Sequence, residues 1–453
     1  MTDPWQEINR QVAMTQDRLS RAGVSQYEIL ASAGDSVSVG IKNDQVDKYQ
    51  EASSLGLALR VLDDDRPGFS FVVGARDEAA FGLAVEEALA SARTSDPEPG
   101  YGFAAPQPPY PQVEVYDPAI RQDPVEAKIA RAKDLARLAK EADPRIIHVH
   151  PAEFGSQESL VRLVTSQGLD LTHRATRFSA GVLALAGQGS EQEMGWESDS
   201  RTFLEDLDLA FVGREAGLKA AAYLGGRPVP DGRYDVVFTN AVAAEFLDLL
   251  AQSLLGDNVV KNRSLLAGKL GQAVVSPQVT IIDHGLFPRG AGSAPFDDEG
   301  TPQSRTVLVK GGVVEAFLFD RLWGARRGQP STGNAVRASL KAPPGVGFTN
   351  LLLEPRESGG TDRDLAKNLG QGLIIGEIMG GHTANPVSGE FSFGASGHLV
   401  ENGEVIRPVK SIALAGQVVE LFRQVARVGG DLRFFGRMGA PSILVEGLSV
   451  SGG

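Results

Sequence analysis

The spacing of apolar residues predicts several amphipathic helices. The clearest follows Asp123, which we expect as the N-cap, with Pro124 as the first helical residue. Its apolar residues recur at steps of three and four and form one stripe: Val125, Ile129, Ala132, Leu135 and Leu138. Similar patterns predict helices at residues 4–21, 77–92 with Asp77 as the cap, 203–224, 241–255 and 417–428.

Stretches in which apolar and polar residues alternate predict strands. They lie at residues 26–33, 36–41, 55–62, 146–150, 159–165, 169–176, 180–186, 234–239, 431–435 and 442–450. The strands come in runs and do not alternate regularly with helices. This order favours an α+β fold with mixed or antiparallel sheets flanked by helices over a doubly wound fold.

The chain length and its turn residues predict two domains. A chain of 453 residues exceeds one ordinary domain. Turn residues cluster at 225–232, immediately before a predicted strand. We therefore predict an N-terminal α+β domain at residues 1–226 and a strand-rich α+β domain at 227–453.

Composition and charge exclude several classes of function. The chain has 44 Lys and Arg against 57 Asp and Glu, a net charge of −13, so we expect no nucleic-acid partner. It has no cysteine, which excludes disulfides, cysteine zinc sites and thiol nucleophiles. The first residues lack the pattern of a signal peptide, and no apolar run reaches membrane-spanning length. We expect a cytoplasmic protein without membrane association.

Several tracts rich in Gly, Asn and Pro carry a family resemblance. They are Pro-Phe-Asp-Asp-Glu-Gly-Thr-Pro at 295–302, Ser-Thr-Gly-Asn-Ala-Val-Arg at 331–337, and Asn-Pro-Val-Ser-Gly-Glu-Phe-Ser-Phe-Gly-Ala-Ser-Gly at 385–397. Together with the closing segments at 409–416 and 439–452, they resemble the TldD/PmbA (TldE) family. Its members are two-subunit metallopeptidases once named modulators of DNA gyrase. The resemblance covers most of the chain and is strongest from Gly292 onwards.

The resemblance also implies which type of subunit this is. In the family's catalytic subunit, a helix carries His-Glu-x-x-x-His and a late cysteine completes the metal site, with the glutamate as general base. The matching positions here are Asn240, Ala241 and Glu245. We therefore expect a PmbA/TldE-like chain with no catalytic residue and no metal cofactor of its own. The implied partner is a TldD-like subunit carrying a divalent metal, or a second copy of this chain.

One glycine-rich strand segment is the candidate peptide site. It consists of Gly389, Glu390, Phe391, Ser392, Phe393 and Gly394. Glycine within a strand often marks the close approach of another backbone, such as an extended peptide added to a sheet edge. Alternatively, the two phenylalanines face the core while the glycines turn a sheet corner. Both interpretations remain open.

The sequence leaves two other functions open. The chain could be a self-sufficient metallopeptidase using His382, Glu390 and His398, which are spaced by eight residues. It could instead be a regulatory interaction protein acting on gyrase, which only the family's old name supports.

Two further clusters have simpler structural interpretations. The pair His148 and His150 shares a strand face and is expected to be structural rather than chelating. Residues 297–299, Asp-Asp-Glu, are expected to form a solvated turn in which Gly300 takes a positive φ.

Overall fold

A computed structural model describes residues 4–356 and 358–452. Its helices are α1 Pro4–Arg21, α2 Glu78–Thr94, α3 Val125–Glu141, α4 Leu209–Ala222, α5 Asn240–Ala251, α6 Gly256–Val260, α7 Arg321–Arg327, α8 Asp362–Ala366 and α9 Val418–Arg423. The first strands are β1 Tyr27–Lys42, β2 Gln45–Asp63, β3 Arg66–Val73, β4 Ile146–Thr165, β5 Asp170–Gln188, β6 Glu191–Arg201, β7 Gly232–Phe238, β8 Ile281–His284, β9 Arg305–Lys310 and β10 Val313–Val314. The remaining strands are β11 Ala335–Val336, β12 Gly345–Val346, β13 Leu351–Leu353, β14 Gln371–Met379, β15 Glu390–Glu401, β16 Glu404–Gln417, β17 Val425–Val428, β18 Arg433–Phe435, β19 Met438–Ala440 and β20 Ile443–Gly452.

The first six strands form one antiparallel sheet in the order β3-β2-β1-β4-β5-β6. Its strands are longer than the sequence predicts, because each of β1, β4 and β5 joins two predicted strands into one. Gly34 and Asp35 interrupt the apolar pattern of β1, yet β1 pairs there with both β2 and β4. Pairing on both sides holds these residues extended despite their low strand preference.

Three elements of this half differ in detail from the sequence predictions. The edge strand β6 has no apolar alternation, so the sequence pattern missed it. The N-cap of α3 is Pro124 and not Asp123. The Asp123 carboxylate is instead 2.8 Å from Lys128 Nζ and 2.7 Å from Arg131 Nη1. The helix predicted at 203–224 is shorter and begins at Leu209, with Asp208 as its cap.

The two faces of this sheet have different neighbours. Side chains alternate between the faces along each strand, and helices α1 to α4 pack on one face, with cores that include Ile29 and Phe154. On the other face, Leu30 and Leu163 pack against Phe296 of the C-terminal half. The second face therefore joins the two halves of the chain.

The C-terminal half contains two further six-stranded sheets. Their orders are β16-β15-β14-β7-β20-β17 and β10-β9-β8-β13-β19-β18. The pairs β7–β14 and β13–β19 are parallel, and the other pairs in these sheets are antiparallel. The predicted α+β fold with mixed and antiparallel sheets is confirmed. The division of the chain at residue 226 stays a prediction.

The late helix was also predicted too long. Only Val418–Arg423 is helical, and the chain then continues as strand β17. The apolar residues of this segment are nevertheless all buried: Val418, Leu421, Phe422 and Val425. Among residues 4–356 and 358–452, no helix is both long and apolar enough to cross a bilayer.

Candidate functional site

Helix α5 carries Asn240, Ala241 and Glu245, the positions that the resemblance matches to the metal-binding motif. It begins at Asn240, directly after β7, with Thr239 as its N-cap. The Asn240 amide donates to the backbone carbonyl of Asp431 at 3.4 Å. Ala241 has no side-chain ligand atom, so a cation at these three positions could be bound only by the Asn240 amide oxygen and the Glu245 carboxylate, without any imidazole.

The buried side of α5 is an aromatic core. The Phe246 ring centroid lies 4.9 Å from that of Phe238, 5.0 Å from Phe391 and 5.8 Å from Phe393. Phe391 and Phe393 are both buried. Of the two interpretations of the glycine-rich segment, the core-facing one therefore holds for these two side chains, and neither can contact a ligand.

The rest of that segment is only partly accessible, since Gly389 is buried and Gly394 is half-buried. Glu390 and Ser392 are exposed. Residues Glu390–Phe393 pair with β16, whereas β14 reaches only as far as Gly394. The backbone carbonyl of Glu390 accepts from the Asn385 N–H at 3.0 Å. Part of the strand edge is thus open, and peptide binding by residues Gly389 to Gly394 stays a prediction.

Gly389 itself is required by the local packing. Its φ is +71°, and a Cβ built there would lie 2.6 Å from Leu265 Cδ1 and 2.8 Å from Gln417 Nε2. A larger side chain would therefore be strained and would displace its neighbours. This glycine needs no ligand to account for it.

Glu245 has an unusual acidity. Although Glu245 is exposed, neighbouring protein atoms reduce the hydration of its carboxyl group, and together with the charges of Glu377 and Asp248 they raise its pKa to about 7. Burial also raises the pKa of Glu377 and of Asp248. Glu245 and Asp248 on α5 and Glu377 on β14 therefore retain protons more strongly than free carboxyl groups.

This shift predicts a pH-dependent effect of Glu245→Gln. Between the ordinary value near 4.5 and about 7, the folded chain holds a proton that the unfolded chain has released. Stability consequently falls as pH rises through this window. We expect the variant to melt about 1–2 °C above the wild type at pH 8, with the difference vanishing towards pH 4.5. Differential scanning calorimetry would measure it. The control is Glu404→Gln, at an exposed residue. An equal rise in melting temperature in this control, or no rise in Glu245→Gln, would contradict the raised pKa of Glu245.

The proposed set of His382, Glu390 and His398 was wrong. Glu390 and His398 are eight residues apart on the continuous strand β15, about 27 Å at the usual rise per residue. They cannot share one ion. The His398 ring instead packs 5.6 Å from the Tyr223 ring. Across the described ranges, no group of three or more His, Asp or Glu side chains is arranged to hold a metal.

The pair His148 and His150 is close in space. The ring centroids are 4.8 Å apart and the rings meet edge to face. Because no third suitable side chain joins them within the described residues, the structure gives them no chelating arrangement.

Asp297 and Glu299 are buried and Asp298 is half-buried, so the predicted solvated turn was wrong. The Asp297 carboxylate accepts from the backbone N–H groups of Glu299, Thr301 and Ala335 at 2.9–3.0 Å. Gly300 has the expected positive φ of +82°. The sequence shows the turn, but only long-range packing decides that it lies in the interior.

A buried charge network extends from this turn, which we call the Arg60 network. Arg60 pairs with Glu28 through Nε at 2.9 Å and with Glu299 through Nη1 at 2.7 Å. Arg337 donates to Glu28 at 2.6 Å, and Tyr101 donates to Glu299 at 3.3 Å. The network links β1 and β2 of the first sheet to the C-terminal half.

A polar cavity lies beside this network, on the second face of the first sheet. Its volume is about 390 Å³, within the usual range of small-ligand sites. Its walls come from β4, β5, residues 290–298 and the loop before β19. Burial lowers the pKa of His173 in its wall to about 4, so this imidazole is neutral at pH 7. Sequence reasoning missed the cavity because its walls are distant in the chain.

Comparison with known proteins identifies the family. Profiles of the PmbA/TldA metallopeptidases match as domain 1 at residues 27–92, the central domain at 118–224 and the C-terminal domain at 231–452. The chain belongs to the PmbA/TldD family. It is 27% identical to the metalloprotease PmbA homolog of Haemophilus influenzae, over 99% of this chain and 96% of that protein. It is 26% identical to metalloprotease PmbA of Escherichia coli O157:H7, over 94% of this chain and 92% of that protein.

Solved structures of the PmbA/TldD fold agree closely. A Thermotoga maritima protein named as a candidate modulator of a DNA gyrase is 27% identical, with a TM-score of 0.88 over 98% of this chain and 100% of that one. TldE from Thermococcus kodakarensis is 22% identical, with a TM-score of 0.84 over 97% of this chain and 100% of that one. The latter likeness concerns the fold alone.

Proposed function

We propose that this chain is the metal-free, PmbA/TldE-like subunit of a two-subunit metallopeptidase in the cytoplasm. A TldD-like partner carrying His-Glu-x-x-x-His supplies the divalent metal, the general base and the hydrolysis. The observation that carries the proposal is the replacement of the motif by Asn240, Ala241 and Glu245 in a chain without cysteine.

The side chains at these positions do not fit a hydrolytic metal. Such a site takes three protein ligands and leaves one position for water. The Asn240 side chain offers only a neutral amide oxygen, since its nitrogen donates to the Asp431 carbonyl, and Ala241 has no ligand atom. A single carboxylate, Glu245, cannot hold a catalytic ion, so no step of hydrolysis is assigned to this chain.

The contribution of this chain would be one wall of a cleft for extended or unfolded peptides. An extended peptide can add to an open strand edge through main-chain hydrogen bonds, with little preference for its own sequence. The edge of β15 at Glu390–Phe393 has a strand on one side only, which supports this role.

Reconstitution with a TldD-like partner tests the proposal. We expect the two chains to co-purify and to cleave unfolded peptides only as a mixture, with neither cleaving alone. This chain alone should carry less than one metal ion per molecule in elemental analysis. A chain that neither binds the partner nor changes its activity would contradict the proposal, and a homodimer with its own hydrolysis would replace it.

A further inference from the structure

Two arginines in the polar cavity have no ion-pair partner. Arg177 lies on β5 and Arg437 on the loop between β18 and β19, and both line the cavity and are solvent-accessible. Within the described part of the chain, neither guanidinium has a carboxylate oxygen within 4 Å or a side-chain hydrogen bond. The cavity thus holds two cations without a direct counterion.

The two charges also repel each other. Burial and the charge of Arg437 lower the pKa of Arg177. Two like charges held close together repel each other, even where water partly screens them. An anion bound between them would relieve this cost.

The acidic groups nearby are already engaged. Asp297 accepts three backbone N–H groups, and Asp298 accepts the N–H of Arg337 at 2.7 Å. Asp283, which feels the charge of Arg437, accepts from Asn334 and Thr349. The third arginine of the wall, Arg201, is paired with Asp199 at 2.9 Å. Among the arginines of the cavity wall that the structure describes, Arg177 and Arg437 are therefore the two without a carboxylate partner.

We propose that Arg177 and Arg437 form a site for a carboxylate of an extended peptide. The planar guanidinium matches a carboxylate through two parallel N–H···O bonds. The carboxylate can be the C-terminus of the peptide or an acidic side chain. A polyanion such as nucleic acid is disfavoured by the net charge of −13. This inference rests on the proposed function, since it names the group of the peptide that this subunit holds.

Calorimetric titration of this chain alone tests the site. Three N-acetylated hexapeptides of glycine, serine and alanine serve as probes: one with an amidated C-terminus, one with a free C-terminal carboxylate, and one amidated with an internal glutamate. We expect at least one of the two anionic peptides to bind roughly tenfold more tightly than the neutral peptide. Whichever does so identifies the source of the carboxylate.

Variants locate the binding to the cavity. Arg177→Gln and Arg437→Gln are each expected to weaken binding of the anionic peptide roughly tenfold, and the double variant to reach the level of the neutral peptide. Arg214→Gln, an exposed residue of α4 outside the cavity wall, should bind as the wild type does. Circular dichroism would verify that each variant is folded.

Several results would overturn the site. They are equal affinity for all three peptides, unchanged affinity in both cavity variants, or displacement of the peptide by an equal concentration of inorganic phosphate. The assay needs no partner subunit. If the mixture hydrolyses peptides but binding does not depend on the arginines, the site fails and the proposed function stands. If binding depends on the arginines but the mixture does not hydrolyse peptides, the site stands and the proposed function fails.

Discussion

Replacing Arg60 with leucine is expected to lower the free energy of unfolding by about 3–5 kcal/mol, the usual cost of removing one partner from a buried ion pair. Arg60 is 7% exposed, and its partners Glu28 and Glu299 are 0% and 1% exposed. Without the guanidinium, Glu299 loses its ion-pair partner and Glu28 keeps only Arg337. Uncompensated charge in the interior is far more costly than a lost surface pair.

Urea denaturation of the wild type and the variant would measure this effect. The matched control is Arg137→Leu, which removes the exposed pairs of Arg137 with Asp134 and Glu141 on α3. We expect that control to cost less than about 1 kcal/mol. Equal losses in the two variants would show that the Arg60 network does not stabilise the junction between the halves.

Phe246→Ala is expected to lower the free energy of unfolding by about 3–5 kcal/mol, because it leaves a cavity in a closely packed core. The ring is fully buried and contacts Phe238, Phe391 and Phe393. A large loss would show that α5 is a core helix of the C-terminal half.

The control for this variant is Phe71→Ala, since Phe71 is 39% exposed on β3. We expect it to cost less than about 1 kcal/mol. Guanidinium denaturation followed by circular dichroism suits both variants. If Phe246→Ala were as mild as its control, the aromatic cluster would not be the centre of the C-terminal core.

Local signals in the sequence predicted much of the fold. Helix α1 has the predicted bounds, and Asp77 caps α2 with its side chain accepting from the Ala80 N–H. Capping and helical periodicity depend on neighbours within one turn, so a single sequence carries them. The family resemblance also followed from local tracts and is confirmed by the three matching profiles.

Features set by long-range contacts could not be predicted in this way. The carboxylates at 297–299 resembled a solvated turn, yet Arg60, more than 200 positions earlier, compensates Glu299 in the interior. Likewise, no local pattern indicates that Arg177 and Arg437 line one cavity. The missed edge strand β6 has no apolar alternation, so only its pairing with β5 defines it.

The most direct test of the central claim is peptide hydrolysis by complexes in which one subunit is altered. This chain would be combined with a TldD-like partner whose two motif histidines are replaced by alanine, and Asn240→Ala/Glu245→Ala of this chain with the intact partner. The account predicts no hydrolysis in the first complex and hydrolysis near the unaltered rate in the second. Hydrolysis that survives in the first complex and disappears in the second would place the catalytic metal in this chain and contradict the account.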